Sequence, residues 1–433
     1  MQVVVIGAGI VGLCIAEALV RSGADTVLVD PDSAGGATRA AAGMLSPVGE
    51  TYHQESDLGS LLLAGARTYP GFIARLAGGR DAEAVGLRTT GTLICGTDNA
   101  DRTALSDLHE VCLAHGLRSQ RLTTRQARRL EPLLGPALSC AFLAPDDHQV
   151  DPRLLAEALL AWLGERCRFE CCPATAVLHR DSDDSSSPAT GVLLGDGRQI
   201  GADAVVVANA LGAQTIAGLP TDVTTLLRPV FGDVLRLRPP AALAGLVQHT
   251  IRARVAGTPV YVVPRPDGGL VLGATSREDG EPLPSAGGMH QLLRDAIRLV
   301  PAVAEFAVTE LIARPRPGTP DNAPLLGLAT DSRARVTPGL VLATGFFRHG
   351  VLLAPLAGHL VCSLLGLPTP EPPHPGSPEP RHPGTPDRPP PSDRIADLLA
   401  IVDPARFTRA VAPHAPTDSP ISADTRQAPV RTR

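Results

Sequence analysis

The sequence predicts an α/β protein with a parallel, Rossmann-like sheet assembled from distant parts of the chain. Within the first 30 residues, a buried strand leads through a glycine-rich turn into a helix and a second buried strand. Two further apolar runs of the buried-strand type lie far downstream, at 204–208 and 340–343. The long intervals between these runs indicate that a second domain is inserted into the first.

The glycine-rich turn has the spacing of a dinucleotide-binding site. Gly7 permits the tight turn, Gly9 allows a pyrophosphate to approach the backbone, and Gly12 allows close helix packing. The N-terminus of the helix offers free N–H groups to phosphates. Asp30 ends the second strand 18 residues after Gly12, where a carboxylate accepts ribose hydroxyls and disfavours the 2′-phosphate of NADP. At this point the pattern predicts FAD or NAD.

The segments that follow add three elements. Small residues dominate the run 38–45, which suits packing against a flat ring. Asp151 is a predicted N-cap, and Pro152 is the predicted first residue of a helix whose apolar residues recur at helical spacing. The polar stretch 181–188 lies between two strand-like runs and is predicted to be the tip of a hairpin.

The end of the chain is predicted to be an appendage. Residues 368–391 contain 12 prolines in 24 residues, a composition typical of an extended linker. Residues 394–410 are predicted to form one short helix, and the last twenty or so to be disordered. Deleting 368–433 is expected to leave cofactor binding and turnover unchanged. The alternative is that the PxxP-like spacing binds an SH3-type partner.

Composition excludes several classes of protein. The 39 basic residues are all arginine, so the chain lacks the lysine of pyridoxal-phosphate enzymes, P-loop nucleotidases and kinases. The net charge is -5 and no basic block exceeds Arg128-Arg129, which argues against nucleic acid as a partner.

Cysteine spacing and hydropathy predict a cytoplasmic protein. The eight cysteines show no C-x-x-C pair and no histidine spacing suited to zinc, so no metal is predicted and the thiols are expected to be buried in a reducing cytosol. The apolar start of the chain has no basic leader and is interrupted by glycines and Glu17, so neither a signal peptide nor a membrane span is expected.

Six ordered motifs give the chain a family resemblance. They are the turn at 7–12, AAGML at 41–45, DHQVDP at 147–152, VYVVPR at 260–265 running on to GAT at 273–275, RPGTPD at 316–321 and GFFRHGVLLAP at 345–355. Together they resemble the FAD-dependent D-amino acid oxidase superfamily, most closely its glycine oxidases of thiamin biosynthesis. The likeness covers residues 1 to about 366 and favours FAD.

The resemblance implies a fold and its domain boundaries. A discontinuous FAD-binding domain of the glutathione-reductase type is interleaved with a substrate domain whose antiparallel sheet covers the flavin. The implied FAD domain comprises 1–50, 146–225 and 313–366, the substrate domain 51–145 and 226–312, and the tail 367–433. A homo-oligomer is also implied.

The resemblance further implies the site residues. Arg316 is the expected clamp for the substrate carboxylate, Tyr261 a hydroxyl donor to the same group, and Arg348 a second cation beside the flavin; each has a structural role as its alternative. The expected FAD contacts are Gly7, Gly9, Gly12, Asp30, Thr38, Arg39, Ala42, Gly43, Met44, Val177, Ala208, Gly345, Phe347, Arg348, His349, Gly350, Val351 and Leu352, with Val177 near the adenine. In the sarcosine oxidase branch of the family, a cysteine a few residues before the T-P-D motif attaches the flavin covalently. The corresponding positions of this chain are Arg314, Pro315 and Arg316, so non-covalent FAD is expected.

Departures from the family pattern concern the substrate. Glycine oxidases usually carry a tryptophan ahead of the Arg-Pro, where this chain has Ile312-Ala313-Arg314-Pro315. Their usual Gly-Ala-Trp is here Ala210-Leu211-Gly212, and Phe346 replaces a polar residue. Loss of two aromatics is expected to open the pocket, and Arg314 is a candidate second anionic anchor.

The resulting hypothesis is an oxidase of glycine or an N-substituted glycine. The Cα–N bond would become an imine that hydrolyses to glyoxylate, with O₂ reduced to H₂O₂. Three alternatives remain: a biosynthetic enzyme for a larger secondary amine or hydrazine-linked amino acid, a dehydrogenase with another acceptor, and a catalytically inactive flavin-binding scaffold.

Overall fold

The structure, a computed structural model, describes residues 1–49, 56–182, 184–220, 224–333, 335–370 and 394–409. Its largest sheets have six and eight strands. The helices are α1 Ile10–Arg21, α2 Ala37–Ala40, α3 Ser56–Ala77, α4 Asn99–Ala114, α5 Thr124–Leu130, α6 Pro152–Leu163, α7 Ala286–Leu299, α8 Gly350–Leu364, α9 Ile395–Val402 and α10 Arg406–Arg409. Short 3₁₀ turns occupy Ala82–Val85, Ala210–Thr215, Ala241–Leu243 and Pro301–Glu305.

The six-stranded sheet is the predicted Rossmann-like sheet. Its strands are β1 Gln2–Ile6, β2 Asp25–Val29, β9 Arg168–Glu170, β13 Ala204–Val207, β19 Leu325–Thr330 and β20 Val336–Thr344. They lie in the order β19-β20-β13-β1-β2-β9, and all neighbours are parallel except β19 and β20. The two downstream runs are thereby confirmed as strands of the same sheet as β1.

Both faces of this sheet are buried, which explains the continuous apolar runs of its strands. Val3 and Val5 face a core formed with α1, α3, α6 and α8. Val4 and Ile6 face a second core beneath the sheet β10 Ala174–His179, β11 Ala189–Leu194 and β12 Gln199–Gly201. The antiparallel pairing of β10 and β11 confirms the predicted hairpin, and Asp151 caps α6 as predicted, because its side chain accepts a hydrogen bond from the Arg153 N–H at 2.9 Å.

One face of the eight-stranded sheet is turned toward the six-stranded sheet. Its strands are β5 Thr92–Gly96, β6 Gln120–Leu122, β7 Cys140–Ala144, β14 Arg228–Arg238, β15 Thr250–Val255, β16 Thr258–Pro264, β17 Leu270–Gly273 and β18 Ala307–Gly318. All neighbours in the order β18-β14-β17-β16-β15-β5-β7-β6 are antiparallel except β15 and β5. The predicted boundary at 312/313 falls inside β18, which stays in this sheet to Gly318.

A small sheet joins these two layers. It consists of β3 Met44–Leu45, β4 Leu87–Arg88 and β8 His148–Val150, in the order β3-β8-β4. No helix among the described residues combines the length and apolar character needed to cross a membrane.

Two expectations about the surface and the tail need correction. Cys171 is exposed and Cys172 half-buried, because they lie in the turn before Pro173; the other six cysteines are buried thiols. The predicted single helix over 394–410 is two helices, and α9 packs on α3 and β19 with Leu398 and Val402 nearly inaccessible. The premise of a dispensable tail is therefore wrong for 394–409. The PxxP-like stretch lies mostly, and the last twenty residues wholly, outside the described residues.

The tail is also fixed by an ion pair. Arg406 donates two hydrogen bonds to the Asp321 carboxylate, at 2.7 and 3.0 Å, and a third to the Ala323 carbonyl. Burial alone raises the pKa of Asp321, but the Arg406 hydrogen bonds outweigh it and lower that pKa below its ordinary value. The last described segment thus binds the T-P-D motif directly.

Helix α8 crosses α1 closely and carries a buried histidine. A Cβ on Gly358 would lie 2.8 Å from the Ala18 Cβ, and the adjacent His359 is 7% exposed. Burial, with a smaller contribution from Arg75, lowers the pKa of His359 from 6.5 to about 4. Because the unfolded chain then binds a proton that the folded chain does not, this histidine makes stability fall as pH drops from 6.5 toward 4.

We expect His359→Gln to remove that pH dependence. The difference in unfolding free energy between neutral and mildly acidic solution should shrink by up to about 3 kcal/mol. Urea unfolding at both pH values measures it, and comparison with the parent protein cancels the contribution of other titrating groups. An unchanged difference would contradict the assignment to His359.

Candidate active site

A cavity of about 590 Å³ lies between the two large sheets. The start of α1 and residues between 30 and 44 line one part of it. Strands β15 and β16 line another part, and the start of α8 lies beside α1, since a Cβ on Gly350 would come 3.9 Å from Val11. A lining that combines a helix N-terminus with a strand-lined pocket suits a dinucleotide and a small substrate.

The turn before α1 is built by close backbone contacts. Gly7 has φ +106°, and a Cβ there would lie 2.7 Å from the Ala208 carbonyl. A Cβ on Gly12 would lie 1.9 Å from the Gly7 oxygen. A Cβ on Gly9 meets only the Thr38 hydroxyl, at 3.5 Å, so Gly9 faces open space in the cavity. Gly7 and Gly12 therefore pack as their spacing predicts, and Gly9 has open space beside it, while its contact with a pyrophosphate stays a prediction.

Two side chains hold this end of the cavity in place. The Asp30 carboxylate accepts hydrogen bonds from the N–H groups of Ala8, at 2.6 Å, and Asp32, at 2.7 Å. The Thr38 hydroxyl accepts one from the Ile10 N–H at 2.9 Å. Gly9 at the N-cap offers no side chain to α1. This donor-lined, sterically open cradle with a carboxylate beside it fits the pyrophosphate and ribose of FAD.

The small-residue run passes along the middle of the cavity. Gly43 has φ +77°, and a Cβ there would lie 1.9 Å from the Val150 oxygen. The neighbouring Ala42 carbonyl accepts a hydrogen bond from Arg265 at 2.7 Å. Arg265 is 6% exposed and lies 3.3 Å from Asp151. Burial lowers the pKa of Arg265 to about 10, so it remains a cation at neutral pH.

Sequence reasoning missed Arg265 as a positioning residue. Its guanidinium also donates to Gln149 at 3.2 Å, and it thereby ties the 40–44 run to β8. The residue stands within a motif that was noticed, but no spacing rule signals that its side chain reaches back to Ala42.

The segment before α8 closes the cavity. Gly345 and Phe347 have φ of +72° and +46°. The Phe347 N–H donates to the Pro317 carbonyl at 2.9 Å, which ties this turn to β18. Phe347, Arg348, His349, Gly350, Val351 and Leu352 all line the cavity, with Arg348 stacked over the Phe347 ring at 5.4 Å.

The structure brings most, but not all, of the predicted residues to the cavity. Gly9, Asp30, Thr38, Ala42, Gly43, Met44 and Ala208 line it, as do Tyr261, Arg316 and Arg348. Gly7, Gly12 and Gly345 shape the turns behind the wall. Arg39 instead turns outward toward Glu310, at 3.8 Å, and Val177 is buried with its N–H bonded to the Ala217 carbonyl.

The predicted substrate residues converge on one sheet face. The Arg316 guanidinium lies over Gly232, and Nη1 donates to the Thr275 carbonyl at 3.3 Å. The Tyr261 ring lies over Gly273, its direct neighbour on β17. Both glycines were missed as site residues, although Gly273 stands in a noted motif; they provide the space in which these side chains lie.

We expect Gly232→Ala to displace Arg316, the predicted clamp for the substrate carboxylate. The added Cβ would lie 2.2 to 2.5 Å from the Arg316 guanidinium, so that side chain must move. The KM of the substrate should rise at least about tenfold while bound flavin is retained, because a misplaced charged hydrogen bond forfeits about 1.5–3 kcal/mol. Steady-state kinetics measures the change. Gly287→Ala is the matched control, because Gly287 lies in α7 and a Cβ there would meet no other atom within 4 Å.

Only some of the residues that depart from the family pattern line the cavity. Arg314 lines the cavity, but its Nε lies 3.4 Å from the Gly35 carbonyl, toward the α1 end. Phe346 also lines the cavity, and Ile312 packs in a small cluster with Val234 and Val263. Gly212 is not among the lining residues.

Comparison with known proteins identifies relatives of this chain. The family described as FAD dependent oxidoreductase matches residues 2–364. The bifunctional protein ThiO/ThiG of Synechocystis is 33% identical over 374 residues, which cover 84% of this chain and 51% of that protein. The chain spans about half the length of such bifunctional relatives.

Two further relatives match along most of their length. The glycine oxidase of Geobacillus kaustophilus is 31% identical over 369 residues, covering 84% of this chain and 92% of the relative. A crystal structure of glycine oxidase from that organism has TM-score 0.73 and 28% identity, covering 84% and 95%. The iminodiacetate oxidase of Chelativorans sp. BNC1 has TM-score 0.70 and 27% identity, covering 86% and 97%.

Proposed function

The chain belongs to the FAD dependent oxidoreductase family, and from this premise we propose that it oxidises the Cα–N bond of glycine or an N-substituted glycine to an imine. The imine would hydrolyse to glyoxylate, with O₂ as the electron acceptor. The observation that carries the proposal is the convergence of Arg316, Tyr261 and Arg348 on the cavity beside the 40–44 run. Its relatives include a glycine oxidase and an iminodiacetate oxidase.

The protein's contribution is to bind and orient the substrate. The planar guanidinium of Arg316 suits bidentate binding of a carboxylate, and the hydroxyl of Tyr261 supplies a further donor. An amino acid bound there would lie in the cavity that Ala42, Gly43 and Met44 also line. FAD, held non-covalently when bound, would accept the hydride from Cα. Positioning of this kind needs no nucleophile from the protein.

The FAD site is proposed on the residues of this chain. Asp30 would accept the ribose hydroxyls, and the N–H groups at the start of α1 would bind the pyrophosphate across Gly9. Arg265 would keep the Ala42 backbone in place against the flavin ring.

Anaerobic mixing of the purified holoprotein with candidate amines tests the proposal. We expect glycine, sarcosine or a larger N-substituted glycine to abolish the visible absorbance of oxidised flavin, and amines that lack the carboxylate to have no effect. H₂O₂ should appear when air is readmitted. No loss of absorbance with any of these amino acids would overturn the proposal and favour the flavin-binding scaffold.

A further inference from the structure

One part of the cavity lies next to Tyr261 on the side of α4, and we call it the distal branch. It lies between α4 and strands β15 and β16 and is lined by Ile94, Leu105, Leu108, Arg252, Arg254 and Pro259. One wall is therefore apolar, and the other carries two arginines. Asp107 is the acidic residue that also lines this part of the described cavity, and Arg252 interacts electrostatically with the buried Asp147.

The register of the sheet directs both arginines to the substrate side. Arg252 pairs with Tyr261 and Arg254 with Pro259 across β15 and β16. Directly paired residues project from the same face of a sheet, about 5 Å apart, and diagonal neighbours lie about 7–8 Å apart. The two arginines thus share the face of Tyr261 and extend the cavity wall away from it.

Arg254 is held at the wall of the distal branch by the backbone. Its Nη2 donates to the Gly257 carbonyl at 3.3 Å. An arginine guanidinium binds a carboxylate through charge-assisted hydrogen bonds. Arg252 lies nearer the reaction site, with Nη1 3.9 Å from the Met44 sulfur.

The distal branch is too far from Arg316 to serve the same carboxylate. Strands β18 and β15 are separated by four inter-strand spacings, in the order β18-β14-β17-β16-β15. At about 4.8 Å each, this is roughly 19 Å measured along the sheet. A glycine carboxylate bound at Arg316 therefore does not reach Arg254.

We propose that the substrate is a glycine whose nitrogen carries a chain ending in a second carboxylate. Arg316 and Tyr261 bind the glycine carboxylate, the apolar wall of α4 contacts the methylene groups of the chain, and Arg254 with Arg252 binds the terminal carboxylate. This inference rests on the proposed amine oxidation and assigns Arg254 as a residue that determines specificity.

The test compares N-(carboxybutyl)glycine with its terminal carboxamide, which has the same size and no charge. With the holoprotein, we expect the KM of the carboxylate to be at least about tenfold below that of the amide, since a charged hydrogen bond contributes about 1.5–3 kcal/mol. Arg254→Met should bring the ratio of the two KM values close to one, and Arg254→Lys should restore part of it. Arg238→Met, an exposed arginine of β14, should preserve the ratio.

Binding without turnover gives a second readout. Ether analogues with oxygen in place of the amine nitrogen should show the same charge preference by calorimetry, lost in Arg254→Met. Equal affinity for the charged and neutral compounds in the parent protein, or an unchanged ratio in Arg254→Met, would overturn the inference. If glycine is oxidised in that case, the proposed function stands; if no amino acid is oxidised, the proposed function has failed.

Discussion

Arg316→Lys is expected to raise the KM of the amino acid substrate by roughly 10- to 100-fold while the spectrum of bound flavin stays the same. Lysine keeps the positive charge but loses the planar pair of donors, and a charged hydrogen bond contributes about 1.5–3 kcal/mol. The space above Gly232 holds the planar guanidinium of Arg316. The smaller ammonium group of a lysine would leave part of that space unfilled.

Steady-state kinetics and an absorbance spectrum of the same preparation separate the two effects. Arg238→Lys serves as the control, because Arg238 is exposed on β14 and does not line the cavity. A saturation curve identical to that of the parent protein would remove Arg316 from its assigned role.

Gly12→Ala is expected to abolish flavin binding. Its Cβ would lie 1.9 Å from the Gly7 oxygen, and this contact is with a backbone atom that cannot rotate away. The turn must open, and the start of α1 then loses its position beneath the pyrophosphate. The ratio of flavin to protein absorbance after purification measures the loss.

A second variant keeps this prediction distinct from general misfolding. Gly9→Ala has space for its Cβ within the protein, since the nearest atom is the Thr38 hydroxyl at 3.5 Å, but the methyl group projects into the cradle. We expect Gly9→Ala to retain the fold by circular dichroism and to bind FAD weakly. Gly287→Ala, in an open position of α7, should bind FAD normally. Normal flavin content in Gly12→Ala would contradict the assigned packing role.

Local patterns were sufficient to predict the first sheet and the glycine-rich turn before α1. Strands β13 and β20 are buried on both faces, so their sequences are continuously apolar and recognisable without knowledge of their partners. Gly7, Gly9 and Gly12 act through backbone geometry that is set within a few residues. The ordered motifs then predicted that Tyr261, Arg316 and Arg348 are near one another, and the structure places all three on the cavity.

What the sequence could not supply depends on contacts between distant segments. Gly232 and Gly273 matter because of the side chains on neighbouring strands, and Arg265 because its guanidinium reaches Ala42 across the chain. The position of Arg39, turned toward Glu310, and the docking of α9 are likewise set by tertiary packing. The proline-rich composition of 368–391 says nothing of the helix that follows it.

The docking of α9 and Arg406 has a practical consequence for recombinant work. A chain truncated after α8, where the family match stops, would expose the apolar seat of Leu398 and Val402 and leave Asp321 without Arg406, which favours inclusion bodies. A synthetic peptide of residues 394–409 added in trans should restore solubility to such a fragment. Affinity tags therefore belong beyond residue 409 or ahead of β1, and a protease cut within 371–393 should yield two pieces that co-purify.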